Sequence, residues 1–152
     1  MRVFSFAQES TRYCNYSKDK FGNEITFILP PWVDDRQLGK HNSQELLIQI
    51  GRLDNPTYLE EDLQELYFLF GLANSEVQYF NLINSGWIPQ QARAVLPNAL
   101  KTELVMTGFV SDWEHFFKLR TSILAETGKP HPQASELADP LYEEFIKRNY
   151  IK

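Results

Sequence analysis

LEEDLQELYFLFGLANSEVQYFNLINSG, from Leu59 to Gly86, is the longest stretch with a single period, and its reading decides the fold class. Leu59, Leu63, Leu66, Tyr67, Phe70, Val77, Phe80 and Leu82 recur at helical intervals, as a helix that buries one face requires. Thr57 with Glu60 three residues later forms a capping-box pattern, and Ser85-Gly86 is a stop. The Glu60-Glu61-Asp62 cluster reads as negative charge at the positive end of the helix dipole rather than as a catalytic carboxylate pair. A bend near Gly71 is expected. Downstream, Pro89 starts a second helical piece that Pro97 ends, and Thr102 to Val110 alternates as a strand. Ser111-Asp112 then reads as the cap of a helix carrying Trp113, Phe116, Phe117, Leu119, Ile123 and Leu124, closed by Thr127-Gly128. After the loop Lys129 to Pro132 a last helix spans Gln133 to Arg148. Upstream, Ser43 to Ile50 predicts a short helix, and Ile25 to Leu29, stopped by Pro30-Pro31, predicts a short strand. Phe4 to Tyr16 has no clean period, as a ligand-lining turn often reads.

One core is expected from 152 residues of which 43% are apolar and 23% charged. A net charge of −5 and a pI near 5.2 argue against nucleic acid or a membrane surface as partner, because both call for a contiguous basic footprint. The single cysteine, Cys14, excludes an intrachain disulfide, and His41, His115 and His131 are not at metal-ligand spacing, so no metal is expected. Arg2 to Ala7 is too short an apolar run for a signal peptide, which makes the cytoplasm the expected address.

An anionic small molecule needs only a few placed cations, and three arginines are candidates: Arg12, Arg93 and Arg120. Each lies among apolar or structural residues, where a guanidinium needs a carboxylate, phosphate or carbonyl partner. The competing reading of each is a structural salt bridge or a snorkelling side chain. Ser10 beside them suits a phosphate or a uracil, or is simply part of a turn. His115 could stack on a planar cofactor or serve as a core or interface histidine. Cys14 has no nearby base or helix start to lower its pKa and reads as inert packing.

Several stretches in combination resemble the flavin-dependent thymidylate synthases, over nearly the whole chain. That family's signature is Arg-His-Arg followed by seven residues and a serine; here Arg2 matches its third residue, Val3 through Glu9 the seven, and Ser10 the serine. Ala92-Arg93-Ala94-Val95-Leu96-Pro97 resembles the family's Ala-Arg-x-x-Leu-Pro element. Thr107-Gly108 with Trp113 through Arg120 resembles its strand-to-helix element ending in Leu-Arg. The resemblance implies an α+β fold, mostly helical with a small antiparallel sheet, with residues 1–152 forming a single domain. It implies methylation of dUMP to dTMP, with the carbon from methylene-tetrahydrofolate and the hydride from NADPH through FAD.

By resemblance, Gln8, Glu9, Ser10, Thr11, Arg12 and Arg93 would hold the dUMP. Arg120 would lie against the uracil as the catalytic group, favouring ionisation at its ring nitrogen. Arg2, Gln8, His115 and Gln133 would line the FAD. The family assembles as a homotetramer with sites shared between subunits. Met1 stands where the signature histidine is expected, the arginine before it is absent, and residues 1–152 match roughly the carboxy-terminal two thirds of a family member. Gln8 stands where many relatives have glutamate, and Phe109 and Ser111 stand for an asparagine and an arginine. A second reading is a non-catalytic remnant or split-gene piece that binds nucleotide or a protein partner without turnover.

Overall fold

Helices dominate the computed structural model, which describes residues 4–18, 21–34, 38–51, 60–124, 126 and 128–152. In chain order the elements are β1 (Ser5–Gln8), α1 (Ser43–Gly51), α2 (Glu60–Asn84), α3 (Pro89–Ala92) running into a 3-10 turn (Arg93–Val95), β2 (Leu104–Thr107), α4 (Val110–Arg120) and α5 (Pro132–Lys147). The two strands pair antiparallel, Ser5 opposite Thr107 and Gln8 opposite Leu104. This is the α+β class expected, mostly helical with a small antiparallel sheet. The contacts divide the chain into two compact units, Glu9–Glu103 and Met1–Gln8 with Leu104–Lys152.

In the Glu9–Glu103 unit α1 packs on α2, and α2 runs without a break through Gly71. Its predicted apolar stripe is out of phase. Leu69, Ala73 and Tyr79 are the buried apolar positions, whereas Tyr67 is 68% exposed and Phe70 38%. Because α2 is apolar around most of its circumference, its period identifies a helix without choosing the face. The expected cap at Thr57 lies outside the described residues. Two carboxylates of α2 hold the chain that precedes it. Glu76 accepts the Ile25 amide at 3.0 Å and the Ser43 hydroxyl, and Glu65 accepts the Asp34 amide at 2.9 Å. The expected strand at Ile25 to Leu29 is reduced to one bridge, Phe27 opposite Leu100, supported by Ile28 N–H to Ala99 C=O at 2.7 Å and Lys101 N–H to Thr26 C=O at 2.9 Å. Pro30 stops one side and Pro97 the other, which leaves too few residues for a ladder.

In the other unit β1 is an addition to the expectation, since Phe4 to Tyr16 shows no strand period. Ser5 to Gln8 are all exposed, so no buried face imposes alternation on that sequence. The helix α4 begins one residue before the predicted cap, with Phe109 at the N-cap position and Asp112 accepting its amide at 3.1 Å. It also ends well short of Thr127-Gly128. Thr121, fully buried, turns its hydroxyl back onto the Phe117 carbonyl at 2.8 Å, and Asp139 of α5 accepts the Ser122 amide at 2.8 Å and its hydroxyl at 2.6 Å. That carboxylate satisfies the chain where the helix would have continued. The core between α4 and α5 is aromatic: Phe117, with no exposed surface, lies 5.3 Å from Tyr142 and 5.1 Å from Phe145, and Trp113 lies 5.0 Å from Phe4.

Candidate functional site

The signature serine sits in a tight turn of the Glu9–Glu103 unit. Tyr13 N–H closes it on the Ser10 carbonyl at 3.0 Å, and the Cys14 thiol donates to the same carbonyl at 3.4 Å. Glu9 anchors the entry to the turn, its amide bonded to the Glu103 carbonyl at 2.8 Å and its carbonyl to the Thr102 hydroxyl at 3.2 Å. The turn therefore presents Ser10 and Arg12 to solvent on a fixed backbone. Beyond it Cys14 and Tyr16 enter a core shared with Ile25, Tyr79 and Ala92.

Ala92 is fully buried and is followed directly by Arg93, so the core that receives the chain after the serine turn also holds the residue before the second arginine. Pro89 starts α3 with a ring whose missing N–H costs nothing in a first turn, and Gln91 folds its side chain back to accept the Ile88 amide at 3.2 Å. Arg93, half-buried, donates through Nη1 to Thr11 Oγ1 at 2.8 Å. The residues of this bond are 82 positions apart. Thr11 accepts from Arg93 and so keeps its own O–H to donate, while the guanidinium keeps its other N–H donors. Arg12 stacks its guanidinium over the Tyr13 ring at 5.2 Å, which orients a cation without neutralising it. The structure thus brings Thr11 and Arg93 together, with Ser10 and Arg12 on the same turn.

The remaining candidates lie in the other unit. Arg120 is the last residue of α4 and is exposed, a favoured place for a cation at the negative end of the helix. Among the described residues no carboxylate forms a salt bridge with Arg12, Arg93 or Arg120. His115 is exposed on α4, Gln8 is exposed at the end of β1, and Gln133 is half-buried in the first turn of α5, where its amide donates to His131 Nδ1 at 3.3 Å. Arg2 lies outside the described residues. Neither of two cavities in the Glu9–Glu103 unit involves a predicted residue: one of about 650 Å³ is bounded by Tyr67, Gln78 and Pro97, and one of about 380 Å³ by Phe27, Leu46 and Glu76. Among the described residues no three His, Cys, Asp or Glu side chains are grouped to hold a metal ion, and no helix is long and apolar enough to cross a membrane.

A model of the family described as thymidylate synthase complementing protein matches residues 1–148. The chain belongs to this family. Among curated proteins, it is 33% identical over 121 residues to a flavin-dependent thymidylate synthase of Mycobacterium avium, a match covering 80% of this chain and 42% of that one. It is 29% identical over 146 residues to a "Probable flavin-dependent thymidylate synthase" of Paramecium bursaria Chlorella virus 1, covering 96% and 58%. The fold is shared with a UMP/dUMP methylase, PolB of Streptomyces cacaoi, solved with 5-Br dUMP, at a TM-score of 0.63 and 23% identity over 96% of this chain and 58% of that one. The chain therefore spans about half the length of the relatives it matches.

Two residues of the site gave no signal in the sequence. Tyr79 and Tyr16 are both buried and their rings lie 5.5 Å apart. Burial, and then the neighbouring Cys14, Glu9 and Tyr79, push the Tyr16 phenol up to about 12. Burial also raises Tyr79, against the opposing effect of its hydrogen bond with the Tyr16 backbone. Both therefore hold their protons at neutral pH, and Tyr79 donates its O–H to the Cys14 carbonyl at 3.4 Å. A tyrosine within an already aromatic helix looks like any other core residue until its hydroxyl is located.

Proposed function

We propose that this chain carries the nucleotide-binding and uracil-activating part of a flavin-dependent thymidylate synthase, methylating dUMP to dTMP in the cytoplasm. The observation that carries the reading is the 2.8 Å bond from Arg93 to Thr11, which joins the signature serine turn to the Ala-Arg-x-x-Leu-Pro element. Ser10, Thr11, Arg12 and Arg93 offer hydroxyl and guanidinium donors to a phosphate, the charge-assisted set that an anion requires, with Gln8 and Glu9 beside them in sequence for the sugar and base. Arg120 acts on the uracil: a fixed positive charge at the ring favours loss of the ring-nitrogen proton, which makes the ring more electron-rich and so activates its 5-carbon without a thiol addition. Cys14, buried and bonded to the Ser10 carbonyl, is not needed as a nucleophile.

FAD, when bound, supplies the redox chemistry that reduces the transferred carbon. The chemistry of Gln8, His115 and Gln133, an imidazole and two amides able to donate and accept, fits a polar planar ring and a diphosphate. They are exposed or half-buried groups on three elements of one unit, and a site completed by neighbouring subunits of a homotetramer accords with that exposure. Methylene-tetrahydrofolate and NADPH are the proposed carbon and hydride donors.

Release of tritium from the uracil 5-position of labelled dUMP tests the reading, with the chain supplied with FAD, NADPH and methylene-tetrahydrofolate. Release above an enzyme-free control is expected. Nucleotide binding without release, persisting when an upstream segment of a relative is added in trans, would favour the non-catalytic module, and absence of nucleotide binding would overturn the synthase reading and leave only a module that binds a protein partner.

A further inference from the structure

We propose that Tyr79 is the positioning residue of the nucleotide turn: from α2 its buried hydroxyl ties down the backbone just after Ser10, Thr11 and Arg12, and so sets where those side chains meet Arg93. The proposal rests on the nucleotide reading above. Tyr79 has no exposed surface. Its hydroxyl donates to the Cys14 carbonyl and accepts from the Tyr16 amide, each at 3.4 Å and across more than sixty residues of chain. Bonds of this length are individually weak. They are nevertheless made in a core without access to water, where a backbone N–H and a C=O deprived of a partner are costly. Because the hydroxyl clasps the chain from both sides of residue 15, it fixes position and direction together, which a single contact would not.

The same tyrosine reaches the other half of the phosphate site by packing. Its ring belongs to the core that contains Ala92, the fully buried residue directly before Arg93. Tyr16 lies against it at 5.5 Å and Phe80 beside it at 5.5 Å, both edge-on, an arrangement that fixes ring orientation. One side chain therefore serves as the common reference for two elements whose polar groups meet 2.8 Å apart, Thr11 on one and Arg93 on the other. Polar groups held in place before the ligand arrives incur less ordering cost on binding, so the clasp acts on ligand affinity although it touches no ligand.

The test is Tyr79→Phe, which keeps the ring and removes only the oxygen, compared with Ile83→Ala, which loosens the same core and leaves the hydroxyl in place. Hydrogen exchange at the Tyr16 amide should speed up about tenfold or more in Tyr79→Phe beyond any change in global stability, and the dUMP dissociation constant should rise about five- to thirtyfold. With turnover measured, the KM for dUMP should rise while kcat moves by less than about threefold, the pattern of lost ground-state placement. Ile83→Ala should lower the melting temperature at least as much and weaken dUMP by less. Unchanged exchange at Tyr16, or equal loss of dUMP affinity in the two variants, would overturn the positioning role. Failure of the unsubstituted chain to bind dUMP would instead overturn the nucleotide reading and the role with it, a result distinct from normal dUMP binding in both chains.

Discussion

Thr11 accepts a hydrogen bond from Arg93 at 2.8 Å, and its turn is clasped from below by Tyr79, whereas Arg120 and His115 stand exposed on α4 above an aromatic core that does not engage their polar groups. Both arrangements place side chains of the proposed site, by different means. In the Glu9–Glu103 unit Thr11 and Arg93 hold one another, so the proposed nucleotide site is preorganised there and should lose affinity when that link is cut. In the other unit the helix is packed through Phe117 against Tyr142 and Phe145, and Arg120 at its exposed end is left to find a partner in a ligand. The first pattern suits the proposed binding of a nucleotide; the second fits the proposed role of Arg120, a charge left to act on the uracil without being spent on a protein partner.

The largest effect expected from this contrast is at Arg120. Arg120→Ala should reduce tritium release roughly a hundred- to a thousandfold, the range seen when one preorganised stabilising group is removed. The melting temperature should stay within about two degrees, because an exposed side chain with no described ion-pair partner takes little stability with it. A variant that keeps its rate would move the chemistry away from α4; a variant that unfolds would make Arg120 structural and erase the contrast.

Cutting the link in the other unit should act on affinity. Thr11→Val keeps the shape of the side chain and deletes the acceptor of the Arg93 bond, and the dUMP dissociation constant measured by calorimetry should rise about tenfold. Flavin binding should be unaltered. If Thr11→Val binds dUMP as the native chain does, the bond is incidental and the turn is not preorganised by it.

Where the sequence was legible, a local rule had no competitor. Pro89 and Pro97 bracket a short helical piece in both the reading and the structure, and Ser43 to Gly51 forms the helix its spacing implied. The elements that were misplaced owe their form to partners distant in sequence. The end of α4 at Arg120 is set by Asp139, and the reduction of Ile25–Leu29 to one bridge is set by the short partner segment near Leu100. The same distinction applies to the site. Ser10, Arg12, Arg93 and Arg120 were candidates from their neighbours and from the family resemblance, but the Thr11–Arg93 bond and the Tyr79 clasp join positions more than sixty residues apart, and no local pattern encodes such a pairing.

The buried phenols add a smaller, pH-dependent term to the bound-in character of the nucleotide unit. Burial raises Tyr16 from its ordinary 10.0 to about 12, so between those values the unfolded chain has lost a proton that the folded chain keeps. Stability from this group is complete below about pH 10 and declines as pH rises toward about 12. Urea unfolding at pH values from about 8 to about 11 should show that decline. Tyr16→Phe should flatten it in part, with Tyr79, also raised, supplying the remainder. An undiminished slope in the variant would mean that the alkaline loss arises elsewhere.

The smallest effect is expected at Cys14, and its smallness separates placement from chemistry. The thiol is only 5% exposed and its contact with the Ser10 carbonyl spans 3.4 Å, so Cys14→Ala removes a weak donor and a little volume at a cost of about 1 kcal/mol. The Tyr79 clasp engages the backbone of residue 14, which alanine retains. Tritium release should accordingly stay within about twofold of the native chain, since lost packing of this size leaves the folded population unchanged. A loss of turnover far exceeding the loss of stability would assign the thiol a covalent role, place chemistry inside the unit read here as a binding scaffold, and undo the division of labour between the turn and α4.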